Sequence, residues 1–435
     1  MKIILKCCYI ANRISNGRKI SLYDNAFYLM LNTGLTSLLG FVYWNIMAHY
    51  FTRYEVGIGS ALISASSLMA IIASLGLGIG LIRYMPEMAS KKIKFINLVY
   101  TLSGITAIII AIIYLMWVKY WSPPLSFITK NIYYTCLFII CTVTMAVFNL
   151  TDQAFIAGRL AKYVFLKNMI TSLLKIPLPI IIFAAFQGFG IFLSTGIAML
   201  FMFLISILWI MPQVYKGYLP RMAWSNEIIG QVLPYSFSNY LANLLNTAPN
   251  YIYPLMVVNV LGPEKNAYFY IVWMITLVLN VIPGGLSQSL LAEGSYDAQK
   301  IGKDGRHALI LALSISMPLA IGMYCFSGWI LHYFGSAYAI NGVRLLHYLI
   351  LAMIPSCINS FYLTINQIKK QVNIIIYQTA FLAFASLGIG YMFLHLYGLN
   401  GLGIAYALTQ GILAIVIIRP LIIELSNKDT TTDLV

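Results

Sequence analysis

Four asparagines recur at helical spacing within one apolar stretch, residues 235–261. They are Asn239, Asn243, Asn246 and Asn250, separated by 4, 3 and 4 positions. At 3.6 residues per turn, these intervals place all four amides on one narrow face of a helix. Hydrocarbon offers an amide no hydrogen-bond partner, so this face must meet other helices or water. We interpret it as one wall of a central passage; hydrogen bonding between helices is the alternative.

A single lysine falls in the middle of another apolar stretch. Lys175 lies in NMITSLLKIPLP, residues 168–179. Three small polar residues share its helix face: Asn168, Thr171 and Ser172. A charge near the bilayer centre is costly, and ionisable groups at such depth usually mark a functional site. We therefore predict that Lys175 faces a cavity and attracts an anion. The alternative is a lysine that snorkels towards the headgroups.

Two further charged residues are candidates at the edges of apolar segments. Asp152 lies near the end of the fourth segment, where it could pair with Arg159 or Lys162 in a structural role, or with Lys175. Arg83 ends the second segment, where it would either guard the mouth of a passage or serve only as a determinant of topology. No span has a carboxylate near its middle, so the single deep charge is positive and suits an anionic ligand such as a pyrophosphate.

The composition is that of a polytopic membrane protein. Of 435 residues, 60% are hydrophobic and 9% are charged, whereas soluble proteins carry about 25% charged residues. The net charge of +15 reflects membrane topology in such a chain, so we expect no nucleic-acid partner. The histidines and cysteines show no metal-ligand spacing and there is no P-loop. We expect no metal and no cofactor.

The fold class predicted is all-α, with twelve transmembrane helices in two pseudo-symmetric six-helix bundles around a central cavity. The twelve apolar segments cover residues 26–51, 57–82, 95–118, 132–155, 164–186, 188–211, 235–261, 267–291, 308–334, 345–368, 372–397 and 401–425. The predicted domains are an N-terminal arm (1–25), the first bundle (26–215), a linker (216–234), the second bundle (235–425) and a tail (426–435).

Charge sets the predicted orientation. Of the 27 Lys and Arg residues, 21 fall in the arm, the even-numbered loops and the tail, and 5 fall in the odd-numbered loops. By the positive-inside rule, both termini lie in the cytoplasm of a multi-pass protein of the cell membrane.

The two halves are similar in pattern. The first segment carries a polar face, as the seventh does, with Asn32 and Thr36 at its centre. Glu55 and Glu264 occupy comparable positions after these two segments. Segments 10 and 11 add polar residues that point to a polar interior in the second half: Ser356, Asn359, Ser360, Gln367 and Gln378. This pattern predicts a six-plus-six duplication with a binding site between the halves.

Residues 25–87, NAFYLMLNTGLTSLLGFVYWNIMAHYFTRYEVGIGSALISASSLMAIIASLGLGIGLIRYMPE, resemble the polysaccharide-transporter family of oligosaccharide-lipid flippases. The matching features are an Asn-bearing first helix with a small-residue middle and an aromatic end, a Tyr-Glu-x-Gly turn, and a second helix that ends in Gly-Leu-Gly and an Arg. That family belongs to the multidrug, oligosaccharidyl-lipid and polysaccharide exporter superfamily.

The resemblance implies two six-helix bundles, alternating access and outward movement of a polyprenyl-diphosphate-linked oligosaccharide from the inner to the outer leaflet. It implies a lipid-linked oligosaccharide as cargo, the lipid bilayer as surroundings, and glycan polymerase and glycosyltransferases as working partners. Cationic cavities are typical of this branch, and the matching charges here are Lys175, Arg83 and Arg53. The alternative is a cation-coupled drug antiporter of the same superfamily. A membrane glycan polymerase is disfavoured because the longest odd-numbered loop, Lys119–Asn131, holds no acid or histidine.

Overall fold

The structure, a computed structural model, describes residues 22–88, 91–294 and 301–426. The first half contains α1 (Leu22–Tyr50), α2 (Arg53–Ala73), α3 (Leu77–Tyr84), α4 (Lys92–Trp121), a 3-10 helix (Pro123–Lys130), α5 (Ile132–Ala157), α6 (Ala161–Leu174), α7 (Leu178–Ile205), a π-helical turn (Ser206–Ile210) and α8 (Met211–Val214). The second half contains α9 (Asn226–Leu261), α10 (Pro263–Gly294), α11 (Ile301–Cys325), α12 (Ser327–His332), α13 (Ser336–Leu351), α14 (Met353–Ile368) and α15 (Val372–Ser426).

The prediction of twelve crossings in two lobes is confirmed. Within the described ranges, eight helices are long and apolar enough to span a membrane, and the α13–α14 pair, bent by 42°, makes nine. One of the eight, α15, contains a break at Gly398 and supplies two crossings. Helices α1 and α9 complete the set. The predicted arm (1–25) and tail (426–435) lie outside the described residues, except that residues 22–25 belong to α1 and residue 426 ends α15.

Several crossings are broken where the sequence departs from a regular helix. Helices α2 and α3 form one crossing, interrupted at Leu75 and Gly76, which have positive φ angles of 48° and 71°. Helix α6 ends at Leu174 and α7 begins at Leu178, so the crossing breaks just before Pro179, as the two prolines there predict. Helix α7 then reverses at Gln187, whose φ of 46° separates crossings 5 and 6.

The backbone of the first lobe repeats in the second. Positive φ angles occur at Arg159 and Gln187 in the first lobe, and again at Lys370 and Gly398 in the second. Arg159 and Lys370 are 211 positions apart, and so are Gln187 and Gly398. The turn hydrogen bonds repeat as well. The Leu160 amide donates to the Phe155 carbonyl in the first lobe, and the Gln371 amide donates to the Asn366 carbonyl in the second, each at 2.9 Å. The two lobes are therefore copies of one six-helix plan.

The lobes pack together at one end, which we call the sealed end; it holds residues 51–52, 122–131, 262 and 326–335. Here the Asn266 amide donates to the Gly57 carbonyl at 2.8 Å and to the Ser60 hydroxyl at 3.1 Å. A Cβ on Gly57 would lie 1.8 Å from the carbonyl oxygen of Pro263. Glycine is therefore needed for α2 and α10 to approach this closely.

Other side chains complete the sealed end. The Asn259 amide donates to the Trp121 carbonyl at 2.7 Å and accepts from the Ser122 hydroxyl at 3.0 Å. The Asn45 amide donates to the Tyr333 carbonyl at 2.9 Å. One hydrophobic cluster extends through both lobes beneath these bonds, and includes Tyr43, Met47, Tyr253, Phe269 and Phe334.

Helix α9 connects the lobes along its length. It begins at Asn226, nine residues before the predicted span, and it continues through Pro234, Pro249 and Pro254. The spacing of Pro249 and Pro254 in the sequence predicts interruptions of this helix. That prediction is wrong, because the helix is continuous and neighbouring helices can satisfy the backbone groups that a proline leaves free. Near its start, Glu227 accepts two hydrogen bonds from the Lys91 ammonium, at 2.9 and 3.1 Å. This contact lowers the pKa of the Glu227 carboxyl.

The close approach at Gly57 gives a test of the seal. We expect Gly57→Ala to push α2 and α10 apart, because its methyl group would overlap the Pro263 carbonyl. In a cysteine-free protein carrying Ser60→Cys, a water-soluble maleimide should then react roughly tenfold faster, since overpacking by 1–3 kcal/mol shifts an equilibrium by about that factor.

Gly104→Ala is the matched control, since nothing lies within 4 Å of a Cβ at that helical glycine. Equal maleimide rates for Gly57→Ala, Gly104→Ala and the parent protein would show that the close approach does not hold the end shut.

Candidate functional site

The second lobe encloses a cavity of about 310 Å³ between α9, α10, α14 and α15, which we call the second-lobe chamber. Of the four α9 asparagines, Asn246 and Asn250 line it. Asn243 is exposed and is not among the lining residues, and the side chain of Asn239 lies outside what the structure describes. Two of the amides predicted to line a passage are thus brought to one cavity, which lies within the lobe.

A ladder of buried amides forms one side of the chamber. The Asn359 amide donates to the Gln410 backbone carbonyl at 3.0 Å and to its side-chain oxygen at 2.6 Å. The Gln378 amide donates to the Asn359 backbone carbonyl at 2.7 Å. These bonds tie α14 to both halves of α15. Of the residues in segments 10 and 11 that predicted a polar interior, four line the chamber: Ser356, Asn359, Ser360 and Gln378. The prediction is wrong for Gln367, which is exposed and lies outside the chamber.

Two acceptors in this ladder have no partner. The side-chain oxygens of Asn359 and Gln378 are buried and make no hydrogen bond in the described structure. An unpaired buried acceptor costs about 1–3 kcal/mol.

Aromatic residues form the chamber wall towards the sealed end. Tyr253, Trp273 and Tyr406 all line the chamber, and their rings meet edge to face. The Tyr253 and Trp273 ring centroids are 5.2 Å apart, and those of Trp273 and Tyr406 are 5.3 Å apart. The Tyr253 hydroxyl donates to Ser386 at 2.7 Å, which fixes the ring.

A second cavity, of about 240 Å³, lies between the lobes, and we call it the interlobe cleft. Helix α1 lines it from Thr36 to Trp44, and α10 lines it from Met274 to Val278. Its surface is mostly apolar, with the hydroxyls of Thr36 and Ser37 at one side. Leu277 lines both this cleft and the second-lobe chamber, so the two cavities adjoin.

Lys175 lies at the break between α6 and α7. Its side chain is half-buried, and its ammonium lies 4.9 Å from the centroid of the Tyr43 ring on α1. Within the described ranges, no carboxylate and no hydrogen-bond acceptor pairs with this ammonium. Lys175 is not among the residues that line either cavity. It therefore offers an uncompensated positive charge in the first lobe.

Asp152 pairs with a residue that the sequence did not suggest. The Lys167 ammonium lies 2.9 Å from the Asp152 carboxylate and donates to the Phe148 carbonyl at 2.8 Å. The Asn168 amide donates to the other carboxylate oxygen at 3.1 Å. Pairing with Arg159, Lys162 or Lys175 was expected and is wrong. The reason is that α6 packs beside α5 with Lys167 turned into the lobe, where it is fully buried.

The remaining candidates lie apart from the cavities. Arg83 is exposed and pairs with Glu87 at 2.9 Å, one turn along the chain. Asn32 lies on α1, which packs against α6 through the rings of Tyr28 and Phe165. The side-chain oxygen of Asn32 is buried and without a partner in the described structure. Arg53 donates across the sealed end to the Tyr268 hydroxyl at 3.4 Å.

Sequence reasoning missed Lys167, which was counted among the loop cations. A signal was present, since Lys167 and Thr171 fall on one helix face with Lys175 two turns further on. It also missed Gln410, Trp273 and Tyr406, whose apolar surroundings in the sequence gave no periodic signal.

The buried pair predicts a stability difference. Asp152→Asn should lower the free energy of unfolding by about 3–5 kcal/mol, because it leaves the Lys167 charge buried without a carboxylate. Combining it with Lys167→Met should restore most of the loss, since no charge then remains buried. The measurement is equilibrium unfolding of the purified protein in detergent.

Glu87→Gln, which breaks the exposed Arg83–Glu87 pair, is the matched control and should cost less than about 1 kcal/mol. If Asp152→Asn costs no more than this control, the pair does not stabilise the first lobe.

Comparisons with known proteins establish the fold. No family model matches the chain, and no curated protein sequence is significantly similar to it. Among solved structures, the lipid II flippase MurJ in an inward closed conformation is similar with a TM-score of 0.74 at 14% identity, over 91% of this chain and 89% of that chain.

Multidrug resistance transporters of the MATE family, in the MOP superfamily, are also similar. An inward-facing structure gives a TM-score of 0.63 at 18% identity, over 92% of this chain and 99% of that chain. An outward-facing structure gives 0.61 at 17% identity, over 93% and 95%. These identities are low and establish the fold alone, and that fold is the one implied by the resemblance of residues 25–87. The chain has the two-lobe, twelve-crossing fold of these proteins.

Proposed function

We propose that this protein is a flippase that moves a polyprenyl-diphosphate-linked oligosaccharide, a precursor of a cell-surface glycan, from the inner to the outer leaflet of the cell membrane. It does so by alternating access and catalyses no chemical step. Its partners are the lipid-linked oligosaccharide, the bilayer, and the glycosyltransferases and glycan polymerase that act before and after it.

The single observation that carries this proposal is the uncompensated charge of Lys175. Its ammonium pairs with no carboxylate in the described structure, although the Lys167 ammonium two turns earlier on α6 does. A cation held at membrane depth without a counter-charge favours an anionic cargo. A diphosphate offers charged oxygens that form strong, short hydrogen bonds with an ammonium.

The cavities suit the other parts of such a cargo. The second-lobe chamber presents amides and hydroxyls, which are the groups that hydrogen-bond sugars. The interlobe cleft is mostly apolar and lies between α1 and α10, where the lipid chain could remain in contact with the bilayer. The asparagines of α9, including Asn246 and Asn250, would contact the sugars as the cargo passes.

The orientation follows from the distribution of cations. If the even-numbered loops are cytoplasmic, the sealed end faces outwards and the described conformation is closed to the outside. Cargo would then enter from the cytoplasmic side, and the lobes would rock about α9 to release it outside.

Lys175 gives the central test of function. In proteoliposomes loaded with a fluorescent polyprenyl-diphosphate sugar, we expect Lys175→Gln to slow transport roughly 10- to 100-fold, the loss typical of removing a hydrogen bond to a charged group. Lys175→Arg should retain most of the rate because it keeps the positive charge. In a glycan-export strain, Lys175→Glu should fail to complement although the protein still inserts.

Lys162→Gln is the matched control, since Lys162 is an exposed lysine on the same helix. Wild-type transport by Lys175→Glu would remove this residue from the mechanism and, with it, the argument for an anionic cargo.

The proposed orientation has its own test. A fluorescent protein that folds only in the cytoplasm should fluoresce when fused to either terminus. A periplasmic alkaline phosphatase inserted in the loop at 122–131 should be active, and the same enzyme inserted at 215–225 should be inactive. The reverse pattern would place the sealed end on the cytoplasmic side, and the described conformation would then be closed to the cytoplasm.

A second candidate function is cation-coupled drug export, which the MATE structures and the buried acid support. Asp152 lies within α5, and its charge is already balanced by Lys167. If Asp152→Asn abolishes a proton- or sodium-driven efflux activity while the protein remains folded, the result would favour the cation-coupled antiporter over the flippase.

A further inference from the structure

The segment that joins the two lobes, residues 215–225, lies against the side of α4, and we call it the strap. It has no helical structure over most of its length. The Asn97 amide donates to the Leu219 carbonyl at 2.8 Å, and the Ala223 amide donates to the Thr101 hydroxyl at 3.2 Å. Side chains of α4 thus satisfy backbone groups of the strap, which irregular backbone at membrane depth requires.

The strap covers the beginning of the face of α4 that meets lipid. Asn97 and Thr101 fall on one helix face with Ile105, Ile108 and Ile112. These three isoleucines are exposed, and α4 is a 30-residue apolar span, so in a bilayer they contact acyl chains. The strap takes the place of lipid on the first turns of this face. Its outer surface therefore meets lipid in turn.

The aromatic end of α4 fixes the depth of the strap. Trp117, Tyr120 and Trp121 are exposed near the sealed end, and Trp and Tyr concentrate at membrane interfaces. Asn97 lies 20 residues before Trp117, which is about 30 Å along a helix and matches the hydrocarbon thickness of a bilayer. The strap therefore lies where the headgroups meet the hydrocarbon, on the side opposite the sealed end.

The strap presents large apolar side chains outwards at this depth. Leu219, Met222 and Trp224 are exposed by 54, 93 and 58%. The Trp224 indole donates to the Asn226 side-chain oxygen at 2.7 Å, which holds the ring at the start of α9. Apolar and aromatic side chains beside cations are typical of segments that lie in the membrane interface.

The cations of the strap supply the charge that such a segment uses. Lys216 and Arg221 are exposed, and within the described residues neither forms an ion pair with a carboxylate. Glu227, at the start of α9, already accepts two hydrogen bonds from Lys91. Exposed basic residues at a membrane surface are attracted to anionic lipid, and a guanidinium can bind a phosphate through two hydrogen bonds.

We propose that the strap binds anionic phospholipid in the leaflet opposite the sealed end. Its apolar side chains enter the interface, and Lys216 and Arg221 bind the phosphates. A zwitterionic lipid fits less well, because its headgroup carries no net charge to balance two cations. The inference goes beyond the proposed function and does not depend on the cargo. Since the strap leads directly into α9, lipid bound there would hold the start of α9 against α4.

The test uses the full-length, cysteine-free protein with a fluorophore on Met222→Cys, in nanodiscs of phosphatidylcholine. Trace phosphatidylglycerol or phosphatidylcholine carries a nitroxide quencher just below the headgroup, and quenching by the two lipids is compared. Phosphatidylglycerol should quench more strongly. Arg221→Gln should lower its relative affinity roughly fivefold, the effect of one cation at an anionic surface. Arg221→Lys should keep the preference, since it keeps the charge.

Lys119→Gln is the matched control, because it removes an exposed cation from the other end of α4 and should leave the preference unchanged. If the Met222→Cys protein does not fold, a label on Leu219→Cys makes the same measurement. The proposal is overturned if neither lipid quenches the label, which would leave this surface in water for a soluble partner. Equal quenching by the two lipids, or an unchanged preference in Arg221→Gln, would overturn it as well.

Discussion

The constraint on which this structure depends is that a polar group surrounded by apolar helices must find a partner or remain as a source of binding energy. Helix α6 shows both outcomes within two turns. Lys167 is fully buried and is balanced by Asp152 and the Phe148 carbonyl. Lys175 touches only the face of the Tyr43 ring among the described contacts of its ammonium. The first lysine stabilises the lobe, and the second is left available to a ligand.

The same constraint explains how two copies of one backbone plan acquire different chemistry. The repeated turns at Arg159 and Lys370 show that the scaffold is shared. The first lobe buries an ion pair, Lys167 with Asp152, whereas the second buries the neutral amides of Asn359, Gln378 and Gln410. A cargo with an anionic end and an uncharged polar end would distinguish the lobes.

Hydropathy and helical periodicity predict the twelve crossings, the two lobes and the two α9 asparagines that line the chamber, Asn246 and Asn250, because these depend on spacing along one helix. Contacts between residues on different helices cannot be predicted from spacing along one helix. Asp152 had three cations within reach by sequence, and packing selected Lys167, which looks like a loop residue. The start of α9 at Asn226 was hidden by Pro234, because a proline usually marks a helix boundary. The chamber needed α10 and α15 as well as α9, so no single segment could reveal it.

The contact of Lys175 with Tyr43 also connects the candidate anion site to the packing between the lobes. Tyr43 is buried in the cluster that includes residues of both lobes, and its neighbour Trp44 packs on Tyr270 of α10 with ring centroids 4.6 Å apart. An anion at Lys175 competes with the Tyr43 ring for the ammonium. A ligand shifts a conformational equilibrium only by its difference in affinity for the two states. The arrangement of Tyr43 and Trp44 belongs to the sealed conformation, so the proposed cargo would have different affinities for the sealed and open states. Binding of the cargo would therefore change the stability of the sealed end.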